Sequence, residues 1–557
     1  MVQEESDLNG YITEDIDMNA EDWTSLGGSL FAQTGKEIVA PRINRLLDKL
    51  ERKALAKFKS RKSHFQSYWF DIYGRFYTVN SVIFGNSQRV LREIYVPMKI
   101  KVENDGETLS VNHYPVELLD KYGRIVINDC LGMGKSTMMK IMFMDVIDSG
   151  VGYPIFVELR DLSKNNGLIS KICKDLGGLG QPFDYNLFLE IIKQGDFIFF
   201  LDGFDEIKDE NKTVVVNELC DFLSKTKNCR FVITSRKMDS LAGLGSFQGV
   251  NVMPLEKGDL FVLILRYGKN SHEALELIEK IKRHDYYGID DFLKNPLLAG
   301  LLYKAYSQSQ GFKLKPAQLC CNILPVFYEQ HDKSKDTNYT HDKKTKLTVF
   351  DMDKLLRLLG LYWKIKDFRS VDYDQFCRMM EFVCNQFKEL NVNANNLKED
   401  LLMSIPLFCK DGLEYRWIHD SLCDYYMAKY IWLDSKEKMP NMFQRIINSP
   451  DLKKYELVLR MYVDMDENGF RMFVLKPVID SYRNYASRNK EYSLAEFMEG
   501  NNGMHFLVNI LHDYYPDIFI YDEQGNGQVC TIRADEILEN IIFSVSDESV
   551  ESLIGGL

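Results

Sequence analysis

Long apolar runs are scarce in this 557-residue chain. The longest, such as Leu260 to Leu265, fall far short of the ~18 residues that cross a bilayer, so no membrane span is expected. Cysteine is sparse and unpatterned, with 11 residues, no Cys-x-x-Cys and no Cys/His ligand spacing. This excludes a disulfide scaffold and a structural zinc, and fits a reducing, cytoplasmic compartment. The adjacent Cys320 and Cys321 read as a buried pair. Basic residues are missing from residues 1–22, which carry eight acids, and from the tail after Arg533. Such a leader is the reverse of a secretory signal and reads as acidic and mobile. No repeat of 20–50 residues is visible, so a leucine-rich or tetratricopeptide solenoid is not expected. Lys plus Arg total 69 against 81 for Asp plus Glu, a formal net charge of −12. A chain this acidic is a poor whole-molecule nucleic-acid binder, although a local basic patch remains open.

What is present is ordinary globular material, 45% hydrophobic and 27% charged. At roughly 150 residues per domain the length implies three to four domains. Arg42 to Lys62 holds nine bases against two acids, with Leu46, Leu47, Leu50, Ala54, Leu55 and Phe58 at helical spacing. It predicts an amphipathic basic helix, whose charged face is solvated or touches nucleic acid or anionic lipid. An aromatic-rich segment from Phe65 to Tyr77 follows.

From about Tyr95 the texture becomes short apolar runs between helical stretches. Arg124–Asn128, Pro154–Glu158, Asp196–Asp202 and Arg230–Ser235 predict strands buried on both faces, hence a parallel, doubly wound α/β sheet. Its ligand is expected at the carboxyl ends of the strands. From about Glu256 the pattern is nearly all helical, including Leu260–Tyr267, Ala274–Arg283 and Pro296–Tyr306. A small β-wing is expected around Leu407 to Ile418, and residues 330–345 read as an exposed loop. The implied division is 1–94, an unassigned N-terminal helical region acting as effector or adaptor; 95–255, nucleotide-binding; 256–325, helical; 326–435, winged-helix; and 436–557, a short C-terminal helical domain.

Leu131-Gly-Met-Gly-Lys-Ser-Thr137 follows a predicted strand and opens a predicted helix, the context of a phosphate-binding loop. Gly132, Met133 and Gly134 let the backbone wrap phosphates, and the helix N-terminus adds its dipole. Lys135 reaches the β and γ phosphates, while Ser136, followed by Thr137, offers its hydroxyl to Mg²⁺. The position where the full pattern has its first glycine is Asp129, expected to point away from the ligand. Phe199-Phe-Leu-Asp-Gly-Phe-Asp-Glu206 places Asp202 at a strand end, where an acid serves the same Mg²⁺. Asp205 or Glu206 then positions or deprotonates the attacking water. Arg236, after Phe231-Val-Ile-Thr-Ser235, is placed to contact the γ phosphate. Taken singly, the plain alternatives are a Gly-rich turn, an acidic loop capping a strand and a surface arginine.

Together, Gly132-Met-Gly-Lys-Ser-Thr137, Asp202-Gly-Phe-Asp-Glu206 and Thr234-Ser-Arg236 resemble the NACHT family of STAND NTPases. That family includes the animal NLR immune receptors and bacterial defence proteins. The lead-in Glu93-Ile-Tyr-Val-Pro97 is similar to the entry of prokaryotic members. Asn295-Pro-Leu-Leu298 resembles the helical-domain motif, which implies that Pro296 packs on adenine. Trp417-Ile-His-Asp-Ser-Leu-Cys-Asp-Tyr-Tyr-Met-Ala428 resembles the winged-helix motif, which implies that His419 contacts the ADP β phosphate. The likeness spans about residues 95 to 435. It implies ATP/ADP and Mg²⁺ as cofactors, slow hydrolysis, and a switch that self-oligomerises when a phage or host trigger releases ADP. The shorter C-terminal part is like that of several bacterial anti-phage members. Two other readings stay open: an AAA-like ATPase working on nucleic acid, and an ADP-locked scaffold without turnover.

Overall fold

The computed structural model describes residues 36–53, 61–79, 82–84, 88–103, 106–129, 132–178, 182–193, 195–207, 209–235, 247–283, 292–308, 316–321, 323–325, 328, 343–411, 413–488, 504–521 and 527–529. The acidic leader, most of the loop expected at 330–345, and the acidic tail lie outside them. Contacts divide the chain into a sheet unit (Met1–Ile127, Lys135–Ser235 and Leu244–Val250) and a helical unit (Asn128–Gly134, Arg236–Gly243 and Asn251–Leu557).

The sheet has seven strands: β1 (Lys99–Val102), β2 (Thr108–Ser110), β3 (Arg124–Asn128), β4 (Tyr153–Glu158), β5 (Phe197–Asp202), β6 (Arg230–Ser235) and β7 (Gln248–Val252). Their spatial order is β2-β1-β7-β3-β6-β5-β4. The pairs β4–β5 and β5–β6 are parallel, and β1–β2 is antiparallel. The four strands expected from apolar runs are β3 to β6, buried along nearly their whole length. The other three are short and partly exposed, so no run of apolar residues marks them. The phenyl rings of β5 and its neighbours fill the core, Phe199 stacking on Phe231 with centroids 5.0 Å apart.

Two long helices precede the sheet, α1 (Lys36–Lys53) and α2 (Lys62–Tyr77). They cover part of the basic stretch and the aromatic segment that sequence grouped into an N-terminal region, and both are built into the sheet unit. The apolar stripe Val39, Ile43, Leu46, Leu47 and Leu50 of α1 is buried, against α2 and against α3 (Lys135–Ser149). α2 closes the sheet edge. β4 is the outermost strand on its side and would otherwise present unpaired backbone groups. The Tyr68 hydroxyl donates to Phe156 O at 3.2 Å and accepts from Phe156 N at 2.9 Å, and Trp69 Nε1 donates to Pro154 O at 2.9 Å. Burial holds the Tyr68 phenol well above its ordinary pKa, so it remains a donor. Asp148, near the end of α3, gathers Arg42 at 2.7 Å, Arg92 at 2.6 Å and the Tyr73 hydroxyl at 3.2 Å. Several charges of the basic stretch are therefore met within the chain, Lys62 likewise pairing with Asp48 and Glu51.

The remaining helices of the sheet unit used below are α4 (Leu168–Gly177) and α5 (Asp209–Lys225). The helical unit carries α6 (Lys257–Gly268), α7 (His272–Lys282) and α8 (Pro296–Gln308), close to the three expected helices. Further on, α9 (Val349–Ile365) packs along α10 (Asp420–Asp434), with the hairpin β8 (Phe408–Asp411) and β9 (Glu414–Trp417) just before α10. This is the expected wing, paired antiparallel with Phe408 opposite Trp417. Trp363, Phe376, Phe408, Trp417 and Tyr426 form its aromatic core. Arg357 ties α9 to the end of α10 through Asp434 at 2.6 Å, and pairs within α9 with Asp353 at 2.5 Å.

One expectation needs an addition and another a correction. The described part of residues 436–557 is mainly helical, as expected, with one short hairpin added, β10 (Phe519–Tyr521) paired antiparallel with β11 (Gly527–Val529). Pro516 disfavours continuing the preceding helix, and Phe519-Ile-Tyr521 favours extended backbone. Cys320 and Cys321 are not a buried pair: Cys320 is buried and Cys321 exposed, as adjacent positions on a short helix at a surface can be.

Tyr68→Phe leaves both backbone groups of Phe156 without their buried partner. It should destabilise the sheet unit by roughly 1–3 kcal/mol, read as a lower denaturant midpoint.

Candidate functional site

The site grows from the carboxyl ends of three adjacent strands. The register of β4 on β5 sets Glu158 beside Asp202, and that of β5 on β6 continues from Leu201–Ile233 to bring Thr234 alongside. Ser136, in the first turn of α3, donates to Asp202 Oδ1 at 3.1 Å. The Thr234 hydroxyl donates to the same oxygen and accepts from Gly203 N at 2.8 Å. The sequence pattern named Ser136 and Asp202 as partners, and the structure brings them together. Thr234 was part of a motif but carried no assigned role. Its hydroxyl is found only because β6 lies between β3 and β5.

These oxygens suit Mg²⁺. The ion takes octahedral oxygen ligands at about 2.0–2.1 Å, so neighbouring ligands lie about 3 Å apart. The Ser136–Asp202 separation of 3.1 Å matches that spacing. One carboxylate and one hydroxyl, with the remaining positions left to phosphate and water, is the usual protein share of such a site.

Beyond Asp202 the chain turns through Gly203, whose φ of +76° is left-handed, into the short 3-10 turn Phe204–Glu206. A β-carbon at 203 would sit 3.1 Å from Glu206 Cδ, so the Glu206 side chain folds back over this glycine. Asp205 is buried. Arg160, two residues past β4, pairs with Glu158 and lies 3.7 Å from Glu206 Oε2. Burial pulls the Arg160 pKa down, but Glu158 and Glu206 outweigh it and the guanidinium is held above its ordinary value. Asp161 beside it is raised, first by burial and then by Glu158, against the pull of Lys171 and Arg160. Sequence reasoning missed Arg160, because nothing in Glu158-Leu-Arg-Asp161 distinguishes it from a strand-end surface pair.

The turn between β3 and α3 falls in the helical unit. Gly132 and Gly134 have φ of +82° and +80°, accessible to glycine at little cost. A β-carbon on Gly132 would lie 2.8 Å from Asn295 Oδ1 and 3.0 Å from Leu297 Cβ. The Gly132 carbonyl accepts from Leu297 N at 3.3 Å. Asn295 caps α8, accepting from Leu297 N at 3.0 Å and Leu298 N at 3.3 Å, and Pro296 opens the helix, where a missing N–H is harmless. The signal for Asn295 is in Asn295-Pro-Leu-Leu298, an asparagine directly before a helix-opening proline. Met133 is buried, Lys135 and Thr137 are half-buried, and Asp129 is half-buried just after β3. His419 is half-buried at the N-cap of α10, its carbonyl accepting from Leu422 N at 3.1 Å. Arg236 lies outside the described residues. Among the described residues no group of three or more His, Cys, Asp or Glu could hold a metal by itself, and no helix is long and apolar enough to cross a membrane.

No family model matches the chain, and no curated protein does. Among solved structures it is similar to a Walker-type ATPase of Pyrococcus abyssi, at 11% identity over 56% of this chain and 93% of that one, with a TM-score of 0.34. Cdc6p of Pyrobaculum aerophilum is matched at 12% identity over 63% and 99% of the two chains, TM-score 0.27. A STAND protein of Pyrococcus horikoshii with a tetratricopeptide-repeat sensor is matched at 16% identity over 78% and 64%, TM-score 0.21. Likenesses this distant add nothing about chemistry. The assignment of an α/β P-loop NTPase sheet followed by helical domains stands on the strand order and the strand–loop–helix unit described above.

Gly132→Ala forces a side chain into a left-handed position against Asn295 and Leu297. A loss of roughly 1–3 kcal/mol is expected. Asn295→Ala removes the cap of α8 and should cost about 1 kcal/mol. Chemical denaturation followed through the helical unit compares the two.

Proposed function

We propose that the chain is an adenine-nucleotide switch of the NACHT class of STAND NTPases, serving bacterial antiviral defence through nucleotide exchange and self-oligomerisation. The observation that carries the nucleotide reading is the hydrogen-bonded set Ser136–Asp202–Thr234 at the carboxyl ends of β5 and β6, reached from a double-glycine turn. The NACHT class itself rests on the sequence resemblance.

On this reading the turn 132–134 and the start of α3 wrap the phosphates with backbone N–H groups, and Lys135 neutralises the β and γ phosphates. Mg²⁺, when bound, neutralises charge that develops on the transferred phosphoryl group. Ser136 and Asp202 would hold it, with the Thr234 hydroxyl fixing the Asp202 carboxylate. Glu206 or Asp205 orients the attacking water, and Arg236 contacts the γ phosphate. Pro296 and His419 read the bound nucleotide from the helical and winged-helix segments. The contact of Leu297 with Gly132 supports that role for α8, since it links the start of the helix to the phosphate turn. Such sites turn over at about 10⁻⁴ per second without a supplied arginine and about 10⁻² per second with one in cis, which suits a timer. Moving the equilibrium from 1:99 to 99:1 takes about 5.5 kcal/mol of differential binding, so trigger and nucleotide act together.

Nucleotide released by denaturing the purified protein should be ADP. Lys135→Ala and Asp202→Ala should each abolish it, along with ATP-dependent assembly in size-exclusion chromatography and protection in a plaque assay, at unchanged expression. Full protection by either variant would remove the switch. Rapid multi-turnover hydrolysis stimulated by DNA or RNA would replace it with an AAA-like ATPase acting on nucleic acid.

A further inference from the structure

Five acids cluster around the carboxyl ends of β4 and β5: Glu158, Asp161, Asp202, Asp205 and Glu206. Within this cluster one guanidinium is almost fully enclosed. The side chain of Arg160 is 5% exposed, contacts Glu158, and reaches Glu206 at 3.7 Å. Glu206 also lies over Gly203, where an added β-carbon would sit 3.1 to 3.3 Å from its Cγ and carboxylate and displace the side chain by a few tenths of an ångström. Its side chain therefore lies beside the residue that follows Asp202. Glu158 has a second cation, Arg75 of α2, at 3.5 Å. The path Arg75–Glu158–Arg160–Glu206 joins a helix of the N-terminal layer to a candidate water-orienting acid, all within the sheet unit.

We propose that Arg160 is a positioning residue for nucleotide hydrolysis, its buried guanidinium fixing the Glu206 carboxylate at the end of β5, and that Arg75 adjusts this hold through Glu158. The inference rests on the nucleotide reading above and selects Glu206 over Asp205 as the water-orienting acid. In the step concerned, water oxygen bonds to the γ phosphorus while the bond from phosphorus to the β–γ bridging oxygen breaks. The products are ADP and inorganic phosphate, and the proton lost by water leaves on phosphate or to solvent. Arg160 takes no proton. A carboxylate paired with a rigid planar cation loses rotamer freedom, and orientation of this kind governs how often water lies in line.

The test uses the full-length protein, fluorescent ADP for affinity and single-turnover hydrolysis of γ-labelled ATP for rate. Arg160→Met should lower the rate about ten- to a hundredfold, the scale of a misplaced group, with ADP affinity unchanged. Arg160→Lys keeps the charge without the fork and should recover part of the rate. Arg75→Gln, at an exposed position on α2, should slow hydrolysis a few-fold, less than Arg160→Met. Adding Arg160→Met to Glu206→Gln should cost no further rate, because the acid it positions is already gone. Multiplicative losses in that double variant, or a wild-type rate in Arg160→Met, would overturn the positioning role. If Arg160→Met does not fold, wild-type rates in both Arg160→Lys and Arg75→Gln overturn it equally. Failure of the wild-type protein to bind fluorescent ADP would instead overturn the nucleotide reading and this inference with it.

Discussion

The site depends on a carboxylate placed where an apolar strand ends. Phe197 to Leu201 are fully buried, and the next residue, Asp202, emerges beside Glu158 of the neighbouring strand. Two acids side by side at the mouth of an apolar core are costly unless hydrogen bonds and cations meet them. Here Ser136 and Thr234 meet Asp202, while Arg160 meets Glu158. Each of these partners arrives on a different element, so the arrangement exists only when β4, β5, β6 and α3 are in register. A bound cation on the Asp202 side would relieve the same repulsion, which links nucleotide chemistry to the packing of the sheet.

The N-terminal helices take part in this packing. α2 supplies the hydroxyl and indole that satisfy the outer edge of β4, and β4 carries Glu158 and leads into Arg160. Asp148 fastens α1 and α2 to α3, the helix that follows the phosphate turn. A change in how these helices pack would therefore reach both ends of the proposed site through short chains of contacts. On the other side of the turn, the Leu297 N–H on the Gly132 carbonyl gives α8 a direct hold on its conformation. On the proposed reading, this contact is where α8 would respond to a bound nucleotide.

Much of this was legible in sequence. Strands β3 to β6 are runs of Ile, Val and Phe ended by a polar residue, and burial on both faces leaves that pattern clearly. Helices α6 to α8 show 3.6-residue periodicity, and the hairpin β8–β9 shows alternation ending at Trp417. The glycines at 132 and 134 follow the spacing of a phosphate-binding loop, and the acid at 202 directly ends an apolar run. Short, partly exposed strands leave weaker traces, because their residues need not be apolar. β1, β2 and β7 went unseen for that reason, and the pair β10–β11 because each strand spans only three residues.

The chain by itself determined which segments would be buried strands, where the phosphate turn would fall and which acid would end the central strand, because these follow from local composition and spacing. Only the tertiary structure decided that Thr234 shares the Asp202 oxygen, that Arg160 meets Glu206, that Asn295 rather than Pro296 faces Gly132, and that Tyr68 and Trp69 close a sheet edge. Each of those is a contact between residues distant along the backbone. Strand order and register create such contacts, and no spacing within a single segment encodes either one.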